Sequence, residues 1–129
     1  LTTDTAQRTA RAKAYPTLAS FVADLADEKR EAYRREIRER LGFDPAWHPD
    51  RGIGLADATR LAGVLIGTGT QWRRRTMRGK LAKPFPEPRP DSPAGKPIYD
   101  PMTVAAWLDW TKRWPPGTAA RPETRSEAA

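Results

Sequence analysis

The chain has 129 residues, enough for one domain with a real core and too few for two full ones. Lysine and arginine number 23 against 16 acidic residues, a net charge of +7 with a pI near 10.2, which favours an anionic partner and puts nucleic acid first. With no cysteine, one histidine and no run of 18 apolar residues, disulfides and thiolate metal sites are excluded, and no metal, cofactor or membrane contact is expected.

Residues 1–14 mix Thr, Ala, Arg and Lys without an apolar stripe and read as a flexible basic arm. They lack the apolar core of a secretion signal, which makes a cytoplasmic location the default. Residues 15–52 read as a helical segment and linker. Its apolar set Leu18, Phe21, Val22, Leu25, Tyr33, Ile37 and Leu41 has helical spacing, broken at Asp27, Glu28, Lys29 and Arg30, so one long or two shorter helices fit. Asp27 is a candidate cap for a second helix, with Glu28 and Glu31 suited to its dipole. The face REAYRREIRER carries opposite charges three and four apart and reads as solvated, each pair supporting the helix by only ~0.2 to 0.5 kcal/mol. Gly42 closes this helix, and the prolines of FDPAWHPD forbid continuation, placing a linker at 42–52 pinned to the core by Phe43 and Trp47. His48 has no adjacent nucleophile and reads as packing or surface rather than as a catalytic base.

The stretch 55–78, LADATRLAGVLIGTGTQWRRRTMR, reads as a helix-turn-helix. Leu55, Ala58, Leu61, Ala62 and Leu65 fall on one helical face, while Asp57, Thr59 and Arg60 point elsewhere. Gly63, Gly67 and Gly69 offer the backbone freedom that an inter-helix turn needs. From Thr68 or Thr70 the chain resumes as a helix to Arg78, with Gly79 just past its end and Trp72 as its large apolar anchor. At about 100° per residue, Thr70, Gln71, Arg74, Met77 and Arg78 lie broadly opposite Trp72, with Arg73 and Arg75 on the flanks. Arginine and glutamine match the paired acceptors and donors on the major-groove edges of guanine and adenine. The competing interpretation is an ordinary solvated cationic face.

Prolines 84, 86, 88 and 90 each remove a backbone donor, which suits an extended edge segment, a turn near Pro93 to Gly95 and a short return strand through Ile98 and Tyr99. That is a small two-stranded wing. From Gln71 to Ile98, eight cations (73, 74, 75, 78, 80, 83, 89 and 96) face only Glu87 and Asp91, so a balance of +6 sits here. Asp100 and Pro101 then cap and begin a final helix, with Val104, Trp107, Leu108 and Thr111 as one stripe and Trp110 and Trp114 on a neighbouring face, either core or a patch for a partner. Pro115 and Pro116 end it, and residues 115–129 read as a disordered tail.

LADATRLAGV, Trp72 nine residues after Gly63, RRR, KPFPEP and GKPIYDPMTVAAWL together resemble the winged helix-turn-helix of MerR-like and AlpA/excisionase-type proteins of actinobacteria and their mobile elements. The likeness covers Ile53 to Trp110 and implies a mainly α fold with a small β-wing: a winged helix-turn-helix at 53–114 with an added N-terminal helical segment. It implies a second helix in the major groove at Gln71 to Arg78, a wing on the backbone or minor groove at Pro84 to Lys96, and Tyr99 leading into the closing helix. Leu65 and Ile66 stand where that family has a polar helix cap, and Gly69 where it has a β-branched core residue. No heptads or effector site follow the wing, so a full sensor of the MerR type is not expected.

The expected function is therefore sequence-specific binding of double-stranded DNA by a non-enzymatic protein, a transcriptional regulator or an excisionase-like recombination directionality factor. The candidate DNA-binding residues are Thr70, Gln71, Arg73, Arg74, Arg75, Arg78, Lys80, Lys83, Arg89 and Lys96. Arg74 is placed to read a base, and Arg73 and Lys80 to hold phosphates. A recombinase or a second copy of the chain are the protein partners this implies. The alternative is a protein-interaction module using the proline run with Trp110 and Trp114. For an enzyme, no carboxylate cluster or histidine pair is present.

Overall fold

A computed structural model describes residues 15–117; the basic arm and most of the expected tail lie outside the described residues. Within them the chain forms α1 (Leu18–Ala23), α2 (Asp27–Leu41), α3 (Leu55–Ala62), α4 (Ile66–Met77) and α5 (Pro101–Trp110). The fold is mainly helical.

α5 is the centre of the packing. Val104, Ala105, Ala106, Trp107 and Leu108 are all buried, as befits a helix that is apolar nearly all round, and α1, α2 and α3 each pack against it. Its start follows from the sequence: Pro101 occupies the first turn, and the Asp100 carboxylate accepts from the Thr103 backbone N–H at 2.9 Å. Two helices, not one, precede the linker, because the polar run at 26–30 starts a new helix. Asp27 is not the cap of α2; Ala26 holds that position with no side-chain bond, while Asp27 and Glu28 in the first turn still complement the helix dipole.

The amino-terminal helices share the core with everything that follows. Tyr33 is fully buried, and its hydroxyl donates to Asp109 of α5 at 2.5 Å, with Lys29 3.4 Å from the same carboxylate. Burial, and next the bond to Asp109, push the Tyr33 phenol well above its usual pKa. The indole N–H of Trp110 donates to the Tyr15 carbonyl at 2.9 Å, and Trp114 meets Tyr33 edge-on with ring centroids 5.0 Å apart. Of the two roles left open for these tryptophans, the structure gives them the internal one. In the linker, Phe43 is buried with the Arg51 guanidinium 4.1 Å from its ring, but Trp47 is 80% exposed. The Asp44 carbonyl accepts from the N–H groups of Trp47 and His48, and this tight turn carries the indole away from the core, contrary to the expectation that it pins the linker.

α3 ends at Gly63, which adopts φ +73°, and Gly63, Val64 and Leu65 alone separate it from α4. Gly67 and Gly69, expected in this turn, lie inside α4. Gly69 is buried where α4 crosses α3, and a Cβ there would overlap the Thr59 methyl. Thr59, expected to point away from the core, is buried, its hydroxyl donating to the Ala56 carbonyl at 2.8 Å. Leu65, expected to complete the α3 stripe, lies outside that helix and is 82% exposed.

The segment after α4 is not a two-stranded ribbon. Among the described residues no strand forms; a single antiparallel bridge joins Ile53 to Tyr99, and the loop is closed by the Arg89 N–H bonding the Ile98 carbonyl at 2.6 Å. The alternate prolines leave too few N–H groups for a ladder. The Ser92 hydroxyl takes the place of a backbone partner, accepting from the Ile98 N–H at 2.9 Å.

Gly63 is also overlain by the carboxyl-terminal segment: the Gly117 N–H donates to the Ala62 carbonyl at 2.8 Å, and a Cβ on Gly63 would lie 2.5 Å from the Gly117 nitrogen. Positive φ and a covering backbone act together here. Gly63→Ala is expected to destabilise the protein by roughly 1 to 3 kcal/mol in urea unfolding, while Gly79→Ala, with nothing near its added Cβ, shows the φ effect alone.

Candidate nucleic-acid interface

α4 begins at Ile66, earlier than the expected Thr68 or Thr70, and contains no acidic residue. Arg78 caps it, Gly79 follows at φ +66°, and the Lys80 N–H reaches back to the Arg75 carbonyl at 2.8 Å, so the last turn is closed by backbone bonds. Arg74 and Arg75 in that turn also suit the negative end of the dipole.

The rotation of α4 is set by Trp72, which is buried. Its ring lies 5.1 Å from Trp107 and 6.1 Å from Phe85, which in turn packs edge-on against Tyr99 and Trp107. Arg113, not singled out by any sequence pattern, places its guanidinium 5.3 Å from the Trp72 ring and 5.1 Å from that of Trp107, and burial lowers its pKa. The loop is tied to α4 by Thr76, whose hydroxyl accepts the Phe85 N–H at 2.8 Å.

With Trp72 inside, Gln71, Arg74, Arg75, Arg78 and Lys80 are exposed, and Thr70 and Arg73 half-buried. Thr70, Arg73, Arg74 and Arg78 line one open groove of about 430 Å³ with Met77, whose exposure is 74%. Gln71 and Arg75 line a second, of about 660 Å³, with Leu65 to Thr68. Arg73 also faces the cleft between α4 and the proline segment, which Tyr99 lines from the other side; burial raises the Tyr99 phenol, and the Arg73 charge pulls it the other way.

Charge compensation separates this surface from that of α2. Arg34, Arg38 and Arg40 pair with Glu31, Asp44 and Glu36. Among the described residues no cation of α4 has a carboxylate partner within 4 Å. An anion approaching α4 therefore meets guanidinium groups that no internal acid already neutralises.

Two of the expected contact residues make contacts within the chain, Arg89 half-buried and Lys83 still exposed. Arg89 donates to the Asp50 carbonyl at 2.6 Å and lies 3.4 Å from the Asp100 carboxylate, so it holds the loop against the linker and the start of α5. Lys83 donates to the Trp110 carbonyl at 3.2 Å, its ammonium 4.8 Å from that ring. A polar partner supplied by a distant segment left no mark near either residue in the sequence. Lys96 is exposed at the loop turn.

Protein-family models, curated proteins and solved structures gave no match to the chain. Among the described residues no group of three or more acidic or histidine side chains is placed to hold a metal ion, and no helix is long and apolar enough to cross a membrane.

Trp72→Ala is expected to destabilise the protein by ~3 to 5 kcal/mol, since it removes the side chain that joins α4 to α5. Arg89→Ala should lower stability by about 1 to 2 kcal/mol, whereas Lys96→Ala should stay within about 0.5 kcal/mol of the parent. Thermal and urea melts of the three variants check both statements.

Proposed function

We propose that this chain binds double-stranded DNA sequence-specifically, with α4 as the recognition helix of a winged helix-turn-helix whose wing is a proline-rich loop. The observation that carries this reading is the exposed, uncompensated Gln71, Arg74, Arg75 and Arg78 surface on a helix whose rotation is fixed by a buried Trp72. A three-residue turn between α3 and α4 supports it as well, since a helix-turn-helix joins its two helices by a short turn that often contains glycine. Arg74 and Gln71 read base edges; Arg73, Arg75 and Lys80 lie toward phosphates. Lys96 remains the cation through which the loop reaches the backbone, since Arg89 is tied to Asp50 and Asp100.

The protein acts as a transcriptional regulator or as a recombination directionality factor, and the symmetry of its site separates the two: a palindrome for a dimeric regulator, direct repeats for a factor that lays copies side by side.

Selection of bound duplexes from a random pool at two salt concentrations tests the reading. An enriched motif, bound more weakly as salt rises, is expected; no enrichment at either concentration overturns it. Within the motif, Arg74→Ala should relax one position and cost ~1 to 3 kcal/mol there. Lys80→Ala should weaken all sequences alike and lower the salt slope by about one.

A further inference from the structure

The surface where α4 begins is apolar and open. Leu65 is 82% exposed and Ile66 51%, two of the few large hydrophobic side chains that the fold leaves in solvent. They line one groove together with Gly67, Thr68, Gln71 and Arg75, so aliphatic carbon and a hydrogen-bonding, cationic face share a single concavity. Exposed aliphatics at this point give nothing to the core and no cap to the helix, since Leu65, the N-cap residue, makes no side-chain bond.

Gly67 adds a second, independent observation. It sits in the first turn of α4, exposed, without a positive φ, and an added Cβ would meet nothing within 4 Å. Gly63 is constrained by its φ and by Gly117, and Gly69 by Thr59. No internal constraint of either kind acts on Gly67, although glycine in an exposed helix is less favourable than alanine. A bare backbone there is useful to something that approaches from outside.

We propose that Leu65 and Ile66 contact thymine 5-methyl groups in the major groove, with Gly67 allowing the first turn of α4 to lie against the base edges. This rests on the DNA-binding reading above. The thymine methyl is the one aliphatic group that the major-groove edge displays, and it lies beside an acceptor that suits the neighbouring Gln71, while Arg75 on the other side of the groove stays toward the phosphates.

The test uses the full chain and the duplex selected from the random pool. Each thymine is replaced in turn by deoxyuridine, which removes the methyl and leaves the pairing edge intact. One or two replacements should weaken binding by about fourfold each, the value of one buried methyl-sized group. The doubly substituted protein, Leu65→Ala with Ile66→Ala, should be indifferent to the same replacements. Gly67→Ala should raise the melting temperature and yet lose DNA affinity, opposite signs that a structural role for this glycine does not produce. Enriched DNA with no uracil effect at any thymine, or a motif without thymine, overturns this inference and leaves the proposed function standing. So does a doubly substituted protein that keeps the thymine preference, or Gly67→Ala binding as tightly as the parent. Self-association abolished by the double substitution, with thymine discrimination unchanged, overturns it in favour of a second copy on this patch. Failure to enrich any DNA overturns both.

Discussion

Gly69 and Trp72 are the two buried residues of α4, and of these Trp72 alone has a side chain to give. Its indole meets Trp107 of α5, Phe85 of the loop and the Arg113 guanidinium, so one ring joins α4 to the central helix, the proline segment and the chain after α5. Aromatic contacts of this kind combine large buried area with defined ring geometry, which fixes rotation as well as adhesion. Every statement about which arginines face outward depends on that fixed angle. Gly69 complements it, because the missing side chain lets α4 approach α3 to within contact of the Thr59 methyl.

The distribution of charge follows from the same packing. α2 carries cations and acids three or four residues apart, and three of its five arginines, Arg34, Arg38 and Arg40, pair with Glu31, Asp44 and Glu36. α4 has no acid, and the loop that follows brings its own cations into contacts with Asp50, Asp100 and Trp110. Among the described residues, the arginines of α4 and Lys80 thus form a contiguous run of cations without carboxylate partners, and the loop serves partly as a brace for that helix. The Phe85 N–H to Thr76 hydroxyl bond ties brace and helix at a further point.

Three glycines between the end of α3 and the middle of α4 illustrate three different physical demands. Gly63 meets a positive φ and a covering backbone, and Gly69 meets a neighbouring helix. Gly67 meets open space. All three look alike in the sequence as breaks in an apolar pattern, so spacing alone places all three in one turn.

The sequence by itself determined the helical character of the chain, the α3 to α4 unit, the Asp100–Pro101 start of α5, the glycine ends at Gly42 and Gly79, and Trp72 as the anchor of α4. Each of these rests on periodicity or capping within a few residues, and local signals of that range survive in the linear order. Tertiary structure alone decided that Trp110 and Trp114 pack against the amino-terminal segment, that Trp47 faces solvent, and that Arg89 and Lys83 find partners within the chain. It also decided that the proline segment closes through Ser92 and one bridge rather than through a ladder. In these cases the partner lies on another element, so the orientation of a side chain is settled by which polar atom or ring the fold delivers to it, and spacing along the chain carries no record of that.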